Sequence, residues 1–459
     1  MQFSGQAWSQ RCSFKGEVNV SGSNLFRIGL VVASLSAAQG WSQQNMSPLA
    51  RDRAQGILQV VANDIKKHYY DPKYHGVDWD AAIAQAKKQI EQTNSFNMAM
   101  SDIAAMIDTL HDSHTFLLPP QHAYRLDHGF QYQMIGERCF VTRVRPKSDA
   151  ESKGVKAGDE IVTLNGYPVL RDVLWKMQYV FTVLRPQGAL SLELQDASGT
   201  RRQVQVAAKI HTGSIVKDLT GGGGGGDIWD LIRDQEREEH LLRPRYQEYG
   251  DQLLVLKVPE FIFSRDEVDS MIGKARKHQS LVLDLRGNPG GSVETLKYLI
   301  GGIFDKEIKI ADRIGRKESK PEIAKPLHNP FTGKLVVLVD ARSASAAELF
   351  ARIVQLEKRG TVIGDRTSGA VMEAKHYDEQ MGTDTVIFYG ASITEWDLIM
   401  ADGKSLEHNG VMPDELVLPD ARDLGSGRDP VLARAAEIVG VKVSSDEAGK
   451  AFPYEWPPE

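Results

Sequence analysis

The sequence predicts a multidomain α/β chain: a helical N-terminal segment, a β-rich middle module, and a core in which helices pack on a sheet. Three observations carry this reading. In the second half, Leu281–Gly291 (LVLDLRGNPGG) and Leu335–Phe350 (LVVLVDARSASAAELF) are each a buried apolar strand ending in a small-residue turn that opens a helix. In the first half, helical spacing from Ala50 to about Asn97 gives way to short alternating strands from about Leu126 to Ile210. Between the halves lie six consecutive glycines, Gly221 to Gly226, with a charge-rich flank.

In chain order, residues 1–45 read as a leader. Arg27 precedes the apolar run Ile28–Ala38, which ends in small residues, as a secretory signal does, with cleavage after Ala38. Export to the periplasm or the exterior, with membrane association, is the expectation; a start-site error or a disordered tail explains Met1–Asn24 equally well. Cys12 would leave with the signal, and Cys139 alone can form no intrachain disulfide. Residues 46–120 form the helical segment, with Ile57, Leu58, Val61 and Ile65 on one face, a stop at Tyr69-Tyr70-Asp71-Pro72, and a second helix from Asp78 or Trp79. Residues 121–215 are the β-rich module and 216–248 a flexible linker. The core spans 249–425, starting with the strand Leu253–Val258 and a helix over Val268–Lys277. Residues 426–459 supply a helix, Pro430–Val439, and a proline-rich end, Pro453–Glu459, expected to be poorly ordered.

Composition excludes some partners. With 459 residues and a formal net charge of −6, without any basic run, the chain is no candidate for nucleic acid. No HExxH and no paired cysteines are present, so neither metal nor other cofactor is expected. The glycine run is no phosphate loop, because no Lys-Ser/Thr follows it and no strand precedes it.

The two core motifs carry chemistry. Ser345 stands at the start of a helix, where unpaired N–H groups and the positive dipole end favour developing negative charge. It can be a nucleophile, or Ser343 or Ser345 can simply cap the helix, with Glu348 completing a capping box. The glycine-rich tail of the partner strand tips the balance. N–H groups of Gly290 or Gly291, with that of Ala346, would form the donor pair an acyl-transfer oxyanion needs; the plain alternative is an ordinary βα turn.

LVLDLRGNPGG followed about fifty residues later by SASAAELF resembles the serine peptidase family of C-terminal processing (tail-specific) proteases and tricorn-type core peptidases, over about Leu58 to Pro419. The resemblance implies that Ser345 is the nucleophile. Members with a Ser–Lys dyad carry their lysine where this chain has Ala370, in Val362–Ala370; Lys375 lies five residues beyond and reads as a surface lysine. The tricorn-type branch instead uses a histidine. Leu110–Phe116 (LHDSHTF) resembles its segment, making His114 the general base and Ser113 the neighbouring serine, and Leu406–Asp414 supplies Glu407 as the orienting carboxylate. A structural histidine and a surface glutamate in a turn remain the alternatives at those two positions.

Gly154–Gly166 (GVKAGDEIVTLNG) resembles the core of a PDZ domain, which implies strand-addition binding of peptides. Gly129 and Phe130, in His128–Gln131, occupy the place of the carboxylate loop without its full pattern. The implied function is a serine endopeptidase acting on polypeptides recognised at their C-terminus by this module, and compatible with a homo-oligomer. A catalytically inactive peptide-binding protein of the same fold is the alternative, and an esterase or amidase a weaker one.

Overall fold

The computed structural model describes residues 46–122, 124–212, 242–382 and 386–456. The leader, the glycine run and most of the expected linker lie outside them.

The core forms because four central strand segments, Leu253–Lys257, Ser280–Asp284, Lys334–Val339 and Thr361–Gly364, are buried on both sides. β10 (Arg245–Tyr249), β11 (Leu253–Lys257), β12 (Ser280–Asp284), β15 (Lys334–Val339), β16 (Thr361–Gly364) and β19 (Glu415–Leu416) make one sheet in that order. Its pairs are parallel from β11 to β19, and β10 adds antiparallel at the edge. Alternate side chains leave on opposite faces. Leu254, Leu256, Leu281, Leu283, Val337 and Val339 meet the helices Arg265–Ala275, Val293–Ile303 and Ala346–Leu356; Leu253, Val255, Val282, Val336 and Leu338 meet the helix Pro430–Val439. The expected α/β core is therefore present. The linker expected over 216–248 ends earlier than its charge suggests, since β10 begins at Arg245.

The strand ends are tied by charge. Asp284 is fully buried at the end of β12, with Lys257 Nζ at 3.3 Å and the Arg286 guanidinium at 2.9 Å. Arg286 also grips Asp429, the N-cap of the helix Pro430–Val439, at 2.8 and 2.9 Å. These two cations outweigh the burial of Asp284 and hold its carboxyl well below the ordinary range.

A second sheet lies beside the first. β1 (Phe116–Leu118), β18 (Ile387–Ile399), β13 (Ile308–Ile314) and β14 (Glu322–Ala324) follow one another, and β17 (Met372–Met381) pairs with β18. The N-terminal helices Pro48–His68, Trp79–Gln92 and Phe96–Asp108 pack their Ile57, Val61, Ile65, Ile103 and Ile107 in one apolar cluster with Ala391 and Ile393 of β18.

The middle module is an antiparallel sheet. β3 (Phe130–Ile135), β4 (Arg138–Val144), β5 (Glu160–Leu164), β7 (Ala189–Gln195) and β8 (Arg201–Ala207) run in that order, with β6 (Tyr167–Pro168) on β5. Entry and exit are pinned together where β2 (Tyr124–Asp127) pairs with β9 (Lys209–Thr212). β3 is an edge strand, and the helical turns Leu174–Tyr179 and Val180–Leu184 lie between β6 and β7. Among the described residues, no helix is long and apolar enough to cross a membrane.

The C-terminal end departs from expectation. The Tyr454 ring lies under Arg143 at 4.5 Å and Trp456 under Arg145 at 4.8 Å, while Arg245 donates to the Pro453 carbonyl at 3.0 Å and Gln131 to the Tyr454 hydroxyl. Residues 453–456 are thus docked rather than loose, because their aromatic rings find guanidinium partners on the module and on β10.

The module meets the core through Arg171. Its guanidinium pairs with Asp365 Oδ2 at 2.6 Å and donates to the carbonyls of Gly136 and Arg366, and Gly136 N–H donates to the same Asp365 oxygen at 2.9 Å. Both side chains are nearly buried, at 9% and 8% exposure, so losing one partner strands the other charge. Arg171→Ala should lower stability by about 3 kcal/mol, whereas the double change Arg171→Met with Asp365→Leu should recover most of it. Urea unfolding of the three proteins checks this; an Arg171→Ala midpoint equal to the unsubstituted one would contradict it.

Candidate active site

Three loops leave the parallel sheet at the same edge. They follow β12, β15 and β16, whose registers place Asp284 beside Leu338 and Val339 beside Gly364. The second loop is fixed by its first serine. Ser343 is fully buried, donates to the Leu285 carbonyl at 2.8 Å and accepts the Asp340 N–H at 3.0 Å. Ser343 is a structural residue.

Ser345 differs. Its backbone has φ 53° and ψ −117°, a conformation that favours glycine and costs a side-chain-bearing residue about 1–3 kcal/mol. The turn is sharp between strand and helix, so the side chain stays partly exposed. Ser345 and Glu348 stand in the expected capping-box arrangement. Its firm bonds are those of Glu348, whose N–H goes to the Ser345 carbonyl at 2.9 Å and whose carboxylate receives the Ser345 N–H at 3.0 Å. The Ser345 hydroxyl makes no close cap bond.

The predicted oxyanion donors need one correction. Gly290 N–H already donates to Asn288 Oδ1 at 2.8 Å, because the buried Asn288 folds back on its own loop while Nδ2 reaches the Val258 carbonyl. Gly290 matters through its missing side chain: at φ 104°, a Cβ would sit 2.6 Å from Ser345 Cβ. Among the described residues, Gly291 N–H and Ala346 N–H have no hydrogen-bond acceptor, and these two remain the candidate pair.

His114 arrives from the other sheet. After the helix Phe96–Asp108 the chain turns at His111, φ 50°, and Asp112 Oδ1 collects the N–H groups of His114 and Thr115, both at 2.9 Å, and the Thr394 hydroxyl of β18 at 2.7 Å. His114 Nδ1 lies 2.8 Å from Ser113 Oγ, and that hydroxyl lies 2.8 Å from Glu407 Oε2. Glu407 also accepts the N–H groups of Ser113 and Val371, each at 2.8 Å. Three of the four predicted residues therefore form one continuous chain.

The chain fixes a tautomer. A hydroxyl has one proton, and Ser113 gives it to Glu407 Oε2, an oxygen that only accepts when the carboxylate is ionised. Ser113 Oγ must then accept from Nδ1–H, so Nε2 carries the lone pair. Burial lowers the His114 pKa, against an opposing pull from Asp112, and keeps the ring neutral near pH 7. Burial raises the Glu407 pKa, while its bonds from Val371 and Ser113 oppose that rise.

Ser345 and this chain meet across one stretch of the third loop. Ser345 N–H donates to the Ala370 carbonyl at 2.8 Å, and the next residue, Val371, donates to Glu407. Among the described residues, no hydrogen bond joins His114 Nε2 to Ser345 Oγ. Ala370 stands where a lysine would be needed for a dyad, and Lys375 lies out on β17 over the Tyr377 ring.

Several contributors were not singled out from sequence. Asp112, Asn288 and Thr367 lie inside the segments Leu110–Phe116, Leu281–Gly291 and Val362–Ala370 but were given no role there, and Glu348 was flagged only by capping-box spacing. Glu348 is fully buried and accepts four hydrogen bonds, from Thr367, Gly369, Ala370 and Ser345.

On the module, Gly129 N–H is taken by Asp127 Oδ1 at 2.8 Å and its carbonyl by Arg145 N–H at 2.7 Å, while Phe130 is buried. Gly129 is therefore not a free donor for a chain-end carboxylate, since the preceding aspartate closes the turn on itself.

Residues 252–417 match the model of Peptidase family S41, and residues 51–95 the tricorn protease C1 domain. Tricorn protease homolog 2 of Streptomyces coelicolor is 22% identical over 409 residues, 82% of this chain and 31% of that one. Carboxy-terminal processing protease CtpA of Bacillus subtilis is 24% identical over 343 residues, 72% of this chain and 66% of that one. The chain thus spans less than two thirds of either relative. The crystal structure of mature CPAF shares the fold, with a TM-score of 0.59 at 16% identity, covering 82% of this chain and 94% of that one.

Imidazole ¹⁵N shifts should report His114 as the Nδ1–H tautomer, titrating below the ordinary value of about 6.5. Ser113→Ala should leave a tautomer mixture. A predominantly Nε2–H ring in the unsubstituted protein would contradict the assignment.

Proposed function

We propose, from the premise that the core of this chain over residues 252–417 belongs to peptidase family S41, that the protein is a serine endopeptidase of the C-terminal processing type with a histidine base. The observation that carries this reading is the chain Glu407–Ser113–His114, which leaves Nε2 of a neutral imidazole unprotonated. A general base needs that lone pair, and the lysine alternative has no residue at Ala370.

Ser345 Oγ attacks the peptide carbonyl carbon as its proton passes to His114 Nε2. The resulting oxyanion is held by the N–H groups of Ala346 and Gly291. The tetrahedral species collapses, the C–N bond breaks, and His114 returns the proton to the leaving amine. Water then attacks the acyl-enzyme, giving its proton to His114 and restoring the Ser345 hydroxyl. Ser113 and Glu407 stabilise the imidazolium in each half without taking part in bond changes. Closure of the serine–histidine contact accompanies substrate binding, as apo sites commonly tighten in the bound state.

The β3 edge suits an added peptide strand, since among the described residues only β4 pairs with it. A PDZ-like role for residues 121–215 rests on that edge and on the Gly154–Gly166 pattern, with recognition made by strand pairing rather than by Gly129. The open serine–histidine contact favours a second reading, a peptide-binding protein without turnover.

A fluorophosphonate probe separates the two. Mass spectrometry should find Ser345 modified in the unsubstituted protein, no modification there in Ser345→Ala, and labelling slowed at least about 100-fold in His114→Ala. No labelling, where an unrelated serine peptidase reacts, would support the binding protein. Full labelling of His114→Ala would remove histidine from the mechanism.

A further inference from the structure

We propose that Glu348 is a positioning residue for the nucleophile, its ionised carboxylate holding the Ser345 turn and the loop 367–370 in the reactive arrangement. The inference rests on the peptidase reading above and extends it to a group outside the Ser345, His114, Ser113, Glu407 set.

Glu348 lies in the first turn of the helix Ala346–Leu356 and is fully buried. Oε1 accepts the Thr367 hydroxyl at 2.5 Å and Gly369 N–H at 2.8 Å; Oε2 accepts the N–H groups of Ser345 and Ala370, both at 3.0 Å. All four partners donate, three of them from fixed backbone. Only a group with two acceptor oxygens and no proton satisfies them, which is an ionised carboxylate. A glutamine would turn its NH₂ toward at least one N–H group in either orientation.

No cation offsets this charge. Among the described residues Glu348 has no ion pair. The charged groups on the elements around it are engaged elsewhere: Arg352 with Asp402, Asp365 with Arg171, Arg366 toward Glu137, and Glu407 with Ser113 and Val371. His408 turns its ring to the His111 carbonyl. Burial accordingly pushes the Glu348 pKa up to about 7, against the pull of its four hydrogen bonds.

The sign follows. Above pH 7 the carboxylate is ionised and the turn is held. As pH falls through about 7 a proton arrives on one oxygen, and the Glu348 share of the hold on Ser345 N–H is lost, leaving the Ala370 carbonyl at 2.8 Å as its remaining acceptor. His114, lowered by burial, is still neutral in that interval. The upper acid limb of reactivity therefore belongs to Glu348 and a lower one to His114.

The test is the rate of Ser345 labelling by the fluorophosphonate from pH 5 to 9, on the full chain, for the unsubstituted protein, Glu348→Gln and Thr367→Val, with circular dichroism reporting folding. The unsubstituted protein should lose rate as pH drops through about 7. Glu348→Gln should react about 100-fold more slowly and without that limb. Thr367→Val removes a bond that lowers the Glu348 pKa, so its limb should move to higher pH even if Glu348→Gln does not fold. A merely structural role would cut the rate and leave the limb in place. Wild-type-like labelling in Glu348→Gln, or a limb unmoved in Thr367→Val, overturns the proposal. Absence of labelling in the unsubstituted protein at every pH overturns the peptidase reading itself and this inference with it.

Discussion

The loop from Asp365 to Val371 is the constraint on which the rest of the site depends. It leaves β16 at the edge of the parallel sheet and spends nearly every polar group on a different element. Asp365 binds Arg171 of the inserted module; Thr367, Gly369 and Ala370 bind Glu348; the Ala370 carbonyl holds Ser345 N–H; Val371 N–H holds Glu407. Ser345, the proposed nucleophile, and His114, the proposed base, come from distant segments of the chain and from loops of different sheets. Consecutive residues of this one loop place them against each other, so its geometry sets theirs.

A parallel sheet makes such a convergence natural. Strand ends on one edge leave N–H and C=O groups that must be satisfied by loops, and helix N-termini open toward the same edge. Here the loop after β12 adds Asn288, whose side chain closes on Gly290 and Val258 while its carbonyl takes Ala344 N–H. The glycine at 290 is required by contact, since its backbone lies against Ser345 Cβ. Beneath the loops, Asp284, Lys257, Arg286 and Asp429 form a buried charge cluster that anchors the ends of β11 and β12 to the C-terminal helix.

Much of this was legible in the sequence for a physical reason: the strands are apolar without interruption and the turns carry small residues, so local pattern and tertiary role agree. Ser345, His114, Ser113 and Glu407 stand in short motifs whose order survives reading one segment at a time. What was not legible is of two kinds, short turns closed by a side chain and long-range pairing. Gly290 looked like a donor because residue type alone does not show that Asn288, two positions earlier, accepts its N–H. Gly129 was read the same way and is closed by Asp127. The end of the chain looked loose because the Gln131 that meets Tyr454 lies 323 residues away, with Arg143 and Arg145 on the next strand. Glu348 showed its spacing but not its burial, which is created by residues about twenty positions later.

The two carboxylates of the site illustrate how one loop divides labour. Glu407, 10% exposed at its side chain, receives three donors and is linked to His114 through the Ser113 hydroxyl, so its charge bears on a group able to become cationic. Glu348 receives four donors and faces no cation, so its charge is held by dipoles alone. The first arrangement suits a residue that must stabilise a transient imidazolium; the second suits one that must keep a strained turn in a single shape. Ala370 sits between them, its N–H on Glu348 and its carbonyl on Ser345, and contributes only backbone. A lysine side chain at that position would bring a base from the loop itself. With alanine there, the proposed proton acceptor His114 comes from across the loop, and the Glu407 contact to Val371 ties its hydrogen-bonded chain to that side.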